Sequence, residues 1–226
     1  MSIYHSDRGS VGYTIIGTPT IQDGIVSGFS SSDYLTTTLD WFSSSNFEMS
    51  CTFTTPSDMS TMDNLCSIMT TGLGRNGLDL YRDSSNNWYL HFNFNLENSQ
   101  SGGLWVTNYP LQANHTYLGK LLYDGSVYTI QLYENNNLLG QNTLSSANKP
   151  IIPTSYPKIY FGFSFYNTKV FTGSIDLNET YIKVNEKAWF GICPVEVKKI
   201  ILNGNEVNQV VKDGVVIWTK PSVPVN

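Results

Sequence analysis

The stretch that decides the fold runs from Tyr117 to Tyr133 and reads YLGKLLYDGSVYTIQLY. On both sides of Asp124-Gly125, apolar and polar side chains alternate with a period of two, as in β-strands that bury one face. Asp-Gly is a strong signal for a tight hairpin turn, because both residues tolerate a positive φ. The stretch therefore predicts two antiparallel strands joined by a short turn.

The same alternation extends through most of the chain from about residue 20. It predicts strands over residues 25–29, 47–53, 78–81, 88–94, 117–123, 127–133, 158–166 and 171–184. Turns rich in Gly, Asn, Ser and Pro separate them, and turns every 8–12 residues or so are typical of a β-sandwich or jelly roll. One short helix is predicted over residues 57–69, with Asp58 as its cap. The predicted fold class is all-β, an antiparallel jelly-roll sandwich.

Composition supports this fold and excludes several functions. Charged residues make up 14% of the chain, against about 25% in average globular proteins. Aromatic residues reach 13%, and the net charge is −5. A nucleic-acid-binding surface needs clustered Lys and Arg, which this sequence lacks, so no nucleic-acid partner is expected. No run approaches the length of a membrane helix and no signal peptide is visible, so membrane insertion is not expected.

The cysteines and the last 35 residues give two further expectations. Cys51, Cys66 and Cys193 are odd in number and unpatterned, which predicts free, buried thiols, and no cofactor or metal is expected.

Three domains are predicted: an N-terminal arm or edge strand (1–17), the jelly roll (18–191), and a three-stranded β meander with a tail (192–226). The meander strands are 195–202, 207–211 and 215–218, with turns at 203–204 and 213–214. A meander this small has too little core to fold alone, so it is expected to dock on the sandwich or on another chain.

Strand alternation also divides the side chains between a core face and a second face. Trp88, Leu90, Phe92 and Phe94 point one way, and Tyr89, His91, Asn93 and Asn95 point the other. The same rule sets Ile159, Phe161, Phe163 and Phe165 against Tyr160, Gly162, Ser164 and Tyr166, and Leu78 and Leu80 against Asp79 and Tyr81.

If these strands share one sheet, its second face has the chemistry of a saccharide-binding surface. Tyrosine rings stack on sugar rings, while amides and hydroxyls exchange hydrogen bonds with sugar hydroxyls. The alternative is a polar sheet face that meets only solvent or another subunit. The candidate carbohydrate-binding residues are Tyr89, His91, Asn93, Tyr133, Tyr160 and Tyr166, with Trp105 and Tyr109 from a predicted loop.

Several runs resemble a known family. Residues 24–35 (GIVSGFSSSDYL), 46–56 (NFEMSCTFTTP), 114–139 (NHTYLGKLLYDGSVYTIQLYENNNLL) and 173–191 (GSIDLNETYIKVNEKAWFG) are similar to the concanavalin A-like lectin/glucanase, or laminin-G-like, jelly roll. The resemblance covers roughly residues 18–191. The closing run, followed by residues 197–218 (VKKIILNGNEVNQVVKDGVVIW), also resembles the ends of structural proteins of tailed bacteriophages. This resemblance implies a location in the virion, other virion proteins as partners, and a homo-oligomer.

The family includes laminarinase-type hydrolases, which use a Glu-x-Asp-x-Glu pattern on one strand. This sequence has no such pattern, and Asp176 and Glu179 would face opposite sides of a regular strand.

No Gly-x-Ser-x-Gly motif accompanies His5, His91 or His115, which are expected to be surface or turn residues. Asp63, Asp79 and Asp83 are weak candidates for a calcium site, without the spacing of a legume lectin.

These observations predict a non-enzymatic phage virion protein, a head or tail fibre, receptor-binding or decoration subunit. It would bind cell-surface or mucosal glycans weakly, with many copies supplying avidity. The alternatives are a purely structural decoration protein without a glycan ligand, a divergent glycan hydrolase, and a bacterial cell-surface adhesin.

Overall fold

The computed structural model describes residues 4–5, 9–10, 13–38, 46–62, 65–71, 76–151, 158–163, 170–184, 187–190, 200–202, 205–207, 209–212 and 215–219. Within these residues the chain is all β apart from one 3₁₀ turn, Met59–Thr61, and no helix there is long and apolar enough to cross a membrane. The strands, numbered in chain order, are β1 (Tyr4–His5), β2 (Gly9–Ser10), β3 (Thr14–Ile16), β4 (Thr20–Gln22), β5 (Ile25–Ser27), β6 (Tyr34–Thr38), β7 (Phe47–Thr54), β8 (Leu65–Thr71), β9 (Gly77–Arg82), β10 (Trp88–Asn95), β11 (Ser101–Trp105), β12 (Thr116–Tyr123), β13 (Val127–Glu134), β14 (Asn137–Ser145), β15 (Lys158–Phe161), β16 (Ser174–Val184), β17 (Lys187–Phe190), β18 (Ile200–Leu202), β19 (Asn205–Val207), β20 (Gln209–Lys212) and β21 (Val215–Thr219).

Two antiparallel sheets form a β-sandwich of the jelly-roll type, which confirms the predicted fold class. The front sheet has seven strands in the order β11-β10-β9-β8-β15-β6-β3. The back sheet has eight, in the order β14-β13-β12-β7-β16-β5-β4, with β17 paired to β16. β1 and β2 form a separate hairpin.

The core lies between the sheets and is dominated by aromatic rings. Phe92 of the front sheet meets Tyr128 of the back sheet with 5.4 Å between ring centroids. Tyr128 also stacks on Tyr123 at 4.2 Å. Each fully buried ring of this size contributes about 1.5–3 kcal/mol to folding through removal of apolar surface from water. The predicted core set Trp88, Leu90, Phe92 and Phe94 is buried throughout, as the alternation required.

The hairpins depend on residues that accept a positive φ. The predicted turn between β12 and β13 is confirmed: Gly125 has φ 97°, and the Asp124 carboxylate accepts the backbone N–H groups of Ser126 and Val127, both at 2.8 Å. Asn135 and Asn136, with φ 50° and 65°, join β13 to β14. Asparagine enters this region more easily than most residues, because its side chain can hydrogen-bond locally.

The helix predicted over residues 57–69 is wrong. Asp58 does cap a turn, since its carboxylate accepts the Ser60 N–H at 2.9 Å, but the turn is the short 3₁₀ segment. The chain then enters β8, which lies between β9 and β15. β8 is buried on both faces, so its sequence LCSIMTT shows no alternation that would identify a strand.

The strand predicted over residues 158–166 is shorter than expected. β15 ends at Phe161, and Gly162 follows with φ 74°. A residue in this conformation interrupts the alternation. Phe163 therefore packs in a small separate cluster with Tyr34 and Tyr160 rather than in the main core.

The chain divides into two compact units, Met1–Cys193 and Pro194–Asn226. The second contains two hairpins, β18 with β19 and β20 with β21, where the sequence predicts one three-stranded meander. The predicted turns at 203–204 and 213–214 lie outside the described residues. Cys51 and Cys66 are buried thiols that are not part of a disulfide, as predicted, and Cys193 lies outside the described residues.

Candidate functional site

The outer face of the front sheet carries a row of chemically distinctive side chains. The strand register places Trp105 of β11 opposite His91 of β10, His91 opposite Asp79 of β9, and Asp79 opposite Ser67 of β8. Tyr81, two residues after Asp79, lies on the same face. Four consecutive strands therefore deliver these groups to one row.

Three rings of this row form what we call the aromatic patch: Tyr81, His91 and Trp105. Their centroids are 5.6 Å apart for Tyr81 and His91, 5.8 Å for His91 and Trp105, and 5.9 Å for Tyr81 and Trp105. Trp105 is 37% exposed and Tyr81 36%, whereas His91 is only 6% exposed. Two accessible rings thus flank a nearly buried imidazole.

A buried carboxylate holds the imidazole in place. His91 Nδ1 and Asp79 Oδ1 share a hydrogen bond of 2.6 Å, and Asp79 is completely buried. Burial raises the pKa of the Asp79 carboxyl, and the adjacent His91 opposes that shift. Asp79 Oδ2 and His91 Nε2 make no hydrogen bond with any described residue. The hydrogen bond to Asp79 therefore fixes the orientation of the His91 ring beside Tyr81 and Trp105.

Glycine on β11 makes room for this arrangement. A Cβ atom at Gly103 would collide with Nε2 of His91, so the imidazole lies directly over the backbone of that residue. Gly103 is opposite Asn93, whose half-buried amide borders the patch. The β11 edge is also held from the back sheet, because Asn142 Nδ2 of β14 donates to the Trp105 carbonyl at 3.1 Å.

The structure brings together only some of the residues predicted from the sequence. Tyr89, His91, Asn93 and Trp105 lie on neighbouring strands of the front sheet, although Trp105 is on a strand rather than the predicted loop. His91 is buried, not a surface or turn residue, because it pairs with buried Asp79. Tyr89 lies opposite Tyr81.

The remaining predicted residues are elsewhere. Tyr133 belongs to the back sheet, where its hydroxyl donates to Gln131 Oε1 at 2.9 Å. Tyr160 is 4% exposed and packs against Tyr34, so it is not on an open face. Tyr109 is half-buried against the core, and Tyr166 lies outside the described residues.

Tyr81 belongs to the patch and Asp79 holds its imidazole, but neither was among the predicted carbohydrate-binding residues. Alternation over residues 78–83 assigns both to the outer face. What the sequence lacked was the strand pairing, which sets Tyr81 beside Trp105 across β10.

The described residues contain no group of three His, Cys, Asp or Glu side chains arranged to hold a metal ion. Asp83 caps its own turn by accepting the Ser85 and Asn87 N–H groups at 2.8 Å each. Of the weak calcium candidates, Asp79 is committed to His91. Asp63 lies outside the described residues.

No known sequence family matches the chain, and no curated protein matches it. Solved structures do share its fold. Domain 4 of AbnA, a GH43 extracellular arabinanase from Geobacillus stearothermophilus, solved in complex with arabinotriose, has 13% identity and a TM-score of 0.52 over 81% of this chain and 85% of that domain. The enzymatically active domain of tailspike protein 2 of bacteriophage CBA120 has 10% identity and a TM-score of 0.51 over 80% of this chain.

The chain spans only 29% of that tailspike structure. A third structure, the receptor-binding domain of botulinum neurotoxin mosaic serotype C/D, has 15% identity and a TM-score of 0.50, and the chain covers 47% of it. At these identities the likeness establishes the jelly-roll sandwich and nothing narrower.

Proposed function

We propose that this chain is a non-enzymatic glycan-binding subunit of a bacteriophage particle, which binds saccharides through Tyr81 and Trp105. The observation that carries the proposal is the pair of exposed rings, 5.9 Å apart with 32° between their planes, fixed on strands of one sheet. Rings presented in this way stack on the apolar faces of sugars. Tyr89, opposite Tyr81 on the neighbouring strand, supplies a hydroxyl group beside the stacking surface.

The shared fold supports this proposal. The arabinanase domain was solved with arabinotriose, and the tailspike domain comes from a phage. The sequence resemblance to phage structural proteins points to the same setting. Each site is expected to bind weakly, because two rings bury little of a sugar, and many copies on one particle would supply the avidity.

A glycan array tests the proposal directly. The wild-type chain should bind a subset of neutral glycans, and a Tyr81→Ala/Trp105→Ala variant should lose that binding. An Ile21→Ala/Ile25→Ala variant is the matched control, since both residues are comparably exposed, at 42% and 45%, on the last two strands of the back sheet. Binding that survives removal of both rings would overturn the assignment of the site.

A glycan hydrolase is the second candidate, because a histidine–carboxylate pair can serve in acid–base catalysis. The Asp79–His91 pair is the observation that favours it. Retaining glycosidases need two carboxylates about 5–5.5 Å apart, whereas Asp79 is buried and Asp83 holds a turn. Release of shorter products from a bound glycan would favour the hydrolase. A silent array with a stable oligomer would favour a purely structural virion subunit.

A further inference from the structure

The outer face of the back sheet carries a second cluster, built from different chemistry. We call Glu48, Lys120, Tyr181 and Lys183 the Glu48 cluster. The register places Lys183 of β16 opposite Glu48 of β7, and both Tyr181 and Lys120 opposite Ser50. Three adjacent strands of the back sheet thus contribute the four side chains to one surface.

Glu48 is fully engaged by its neighbours. Its Oε1 accepts the Tyr181 hydroxyl at 2.6 Å and lies 3.2 Å from Lys120 Nζ. Its Oε2 lies 3.9 Å from Lys183 Nζ. Burial disfavours the charge of Lys120, but Glu48 and Tyr181 together outweigh burial and raise the pKa of its ammonium group. Two ammonium groups therefore share one carboxylate, which leaves a surplus positive charge at this place on a chain of net charge −5.

Lys183 is the accessible member of the cluster. Its side chain is 40% exposed, against 23% for Lys120. Its Nζ lies 4.6 Å from the centre of the Tyr181 ring, which fixes the ammonium group over an aromatic face. At 3.9 Å from Glu48, the ammonium group keeps hydrogen-bond donors for a further partner.

A groove runs from this ammonium group over an apolar floor. Its volume is about 450 Å³. Leu122 and Val127 provide apolar surface, Thr129 provides a hydroxyl group, and Glu48, Asp124 and Lys183 provide charged groups. The Asp124 carboxylate is engaged by backbone N–H groups of its own turn, which leaves Lys183 as the group that would meet an anion. A ring with one apolar face and polar substituents fits such a surface.

We propose that this groove is a second binding site, which takes a saccharide bearing a carboxylate or phosphate group. The sugar ring lies over Leu122, and the anionic group binds the Lys183 ammonium. The site is on the opposite sheet from the aromatic patch and does not depend on it. Charge distinguishes the two sites. The Glu48 cluster has two lysines beside one carboxylate, whereas in the front-sheet row the Asp79 carboxylate is paired with one histidine among the described residues.

The test is a calorimetric or NMR titration with trigalacturonate, glucose 6-phosphate and neutral maltotriose. It uses the full-length Tyr81→Ala/Trp105→Ala variant, so that a sugar bound at the aromatic patch cannot be mistaken for one bound in the groove. An anionic probe should bind, the neutral probe should bind at least about fivefold more weakly, and added salt should reduce the difference. Binding of trigalacturonate but not of glucose 6-phosphate would identify a carboxylate ligand, and binding of glucose 6-phosphate but not of trigalacturonate would identify a phosphate ligand. Failure of both anionic probes, or equal binding of maltotriose, would overturn the proposal.

Variants locate the site. Lys183→Gln should weaken the anionic probe by roughly fivefold or more, and Lys183→Arg should keep most of the affinity because it keeps the charge. Lys158→Gln, an exposed lysine on the front sheet, is the matched control and should change nothing. Thermal melting checks that each variant folds. Unchanged anion binding by folded Lys183→Gln would show that the groove is not the site.

Discussion

His91 and Trp105 face each other across two antiparallel strands, with 5.8 Å between their ring centroids. Asp79 holds the imidazole by a hydrogen bond, and the ring lies over the backbone of Gly103. Trp105 is therefore next to a ring that has little room to move. The geometry of the aromatic patch therefore depends on the buried hydrogen bond between Asp79 and His91 and on the lack of a side chain at Gly103.

The first prediction concerns that absent side chain. Gly103→Ala should displace His91, because the added methyl group would occupy the position of Nε2. We expect a loss of about 1–3 kcal/mol in the free energy of unfolding, as for other overpacked sites. Urea denaturation measures it. Gly102→Ala is the control, since its added Cβ would meet only the rim of the Phe94 ring, at 3.1 Å, and should cost less.

The second prediction concerns the buried carboxyl group. The raised pKa of Asp79 means that the folded chain holds this proton more tightly than the unfolded chain. Its contribution to stability therefore falls as pH rises from the unfolded value of about 4 through the folded pKa. Asp79→Asn removes that decrease, because an amide does not ionise.

The difference in unfolding free energy between Asp79→Asn and the wild type should accordingly shift in favour of the variant as pH rises from 3 to 8. Urea melts across this range measure it, and the other carboxyl groups cancel in the comparison. A difference that stays constant over the range would contradict a raised pKa for Asp79.

The third prediction concerns the core. Phe92→Ala should destabilise the sandwich by about 3–5 kcal/mol, because it removes a ring that joins the two sheets through Tyr128. Tyr81→Ala, on the same sheet but 36% exposed, should cost far less. Chemical denaturation of both variants checks the contrast, and comparable losses would mean that the patch is part of the structural core.

The fourth prediction concerns an acid-sensitive turn. Asp33 accepts the Ser30 hydroxyl and, at 2.7 Å, the Thr18 N–H, and these hydrogen bonds hold its pKa below the usual range. A lowered pKa contributes stability above the unfolded value, and this contribution is lost as pH falls through the folded pKa. Asp33→Asn should therefore be less stable than the wild type at pH 7 and approach it below about pH 4.

The fifth prediction concerns the two compact units. The first contains the whole described core, so a chain ending at Cys193 should keep the circular dichroism spectrum and melting behaviour of the sandwich. The proposed virion role assigns the second unit to docking, and its removal should reduce assembly, measured by light scattering. Collapse of the sandwich itself in the shortened chain would contradict this division.

Local sequence pattern predicted the faces of single strands well, and pairing between strands poorly. Period-two alternation identified the buried side of β10 and the hairpin at Asp124, since both depend on neighbours in sequence. It could not show that Tyr133 and Tyr89 belong to different sheets, because that depends on which strands pair. Tyr160 was placed on an open face, and no local signal shows that Tyr34 covers it.

Strands without alternation were missed for two opposite physical reasons. β8 is covered on both faces, so its sequence is apolar or small throughout. β14 is the outermost strand of the back sheet, and most of its side chains are exposed, so NLLGQNTLS is polar without a period. The side chains of β8 are buried along almost the whole strand, and those of β14 are mostly exposed, so apolar and polar residues do not alternate with a period of two in either.

The hydrogen bond from Asn142 to the Trp105 carbonyl has a thermodynamic consequence for recognition. β10 holds β11 from one side and β14 holds it from the other, so the backbone beneath the indole ring is already ordered in the free protein. A ligand that stacks on this ring has less conformational entropy to remove than it would on a loop, and such preorganisation favours affinity. Asn142→Ala keeps both rings of the patch, so it should make binding entropically less favourable while leaving the stacking contacts in place.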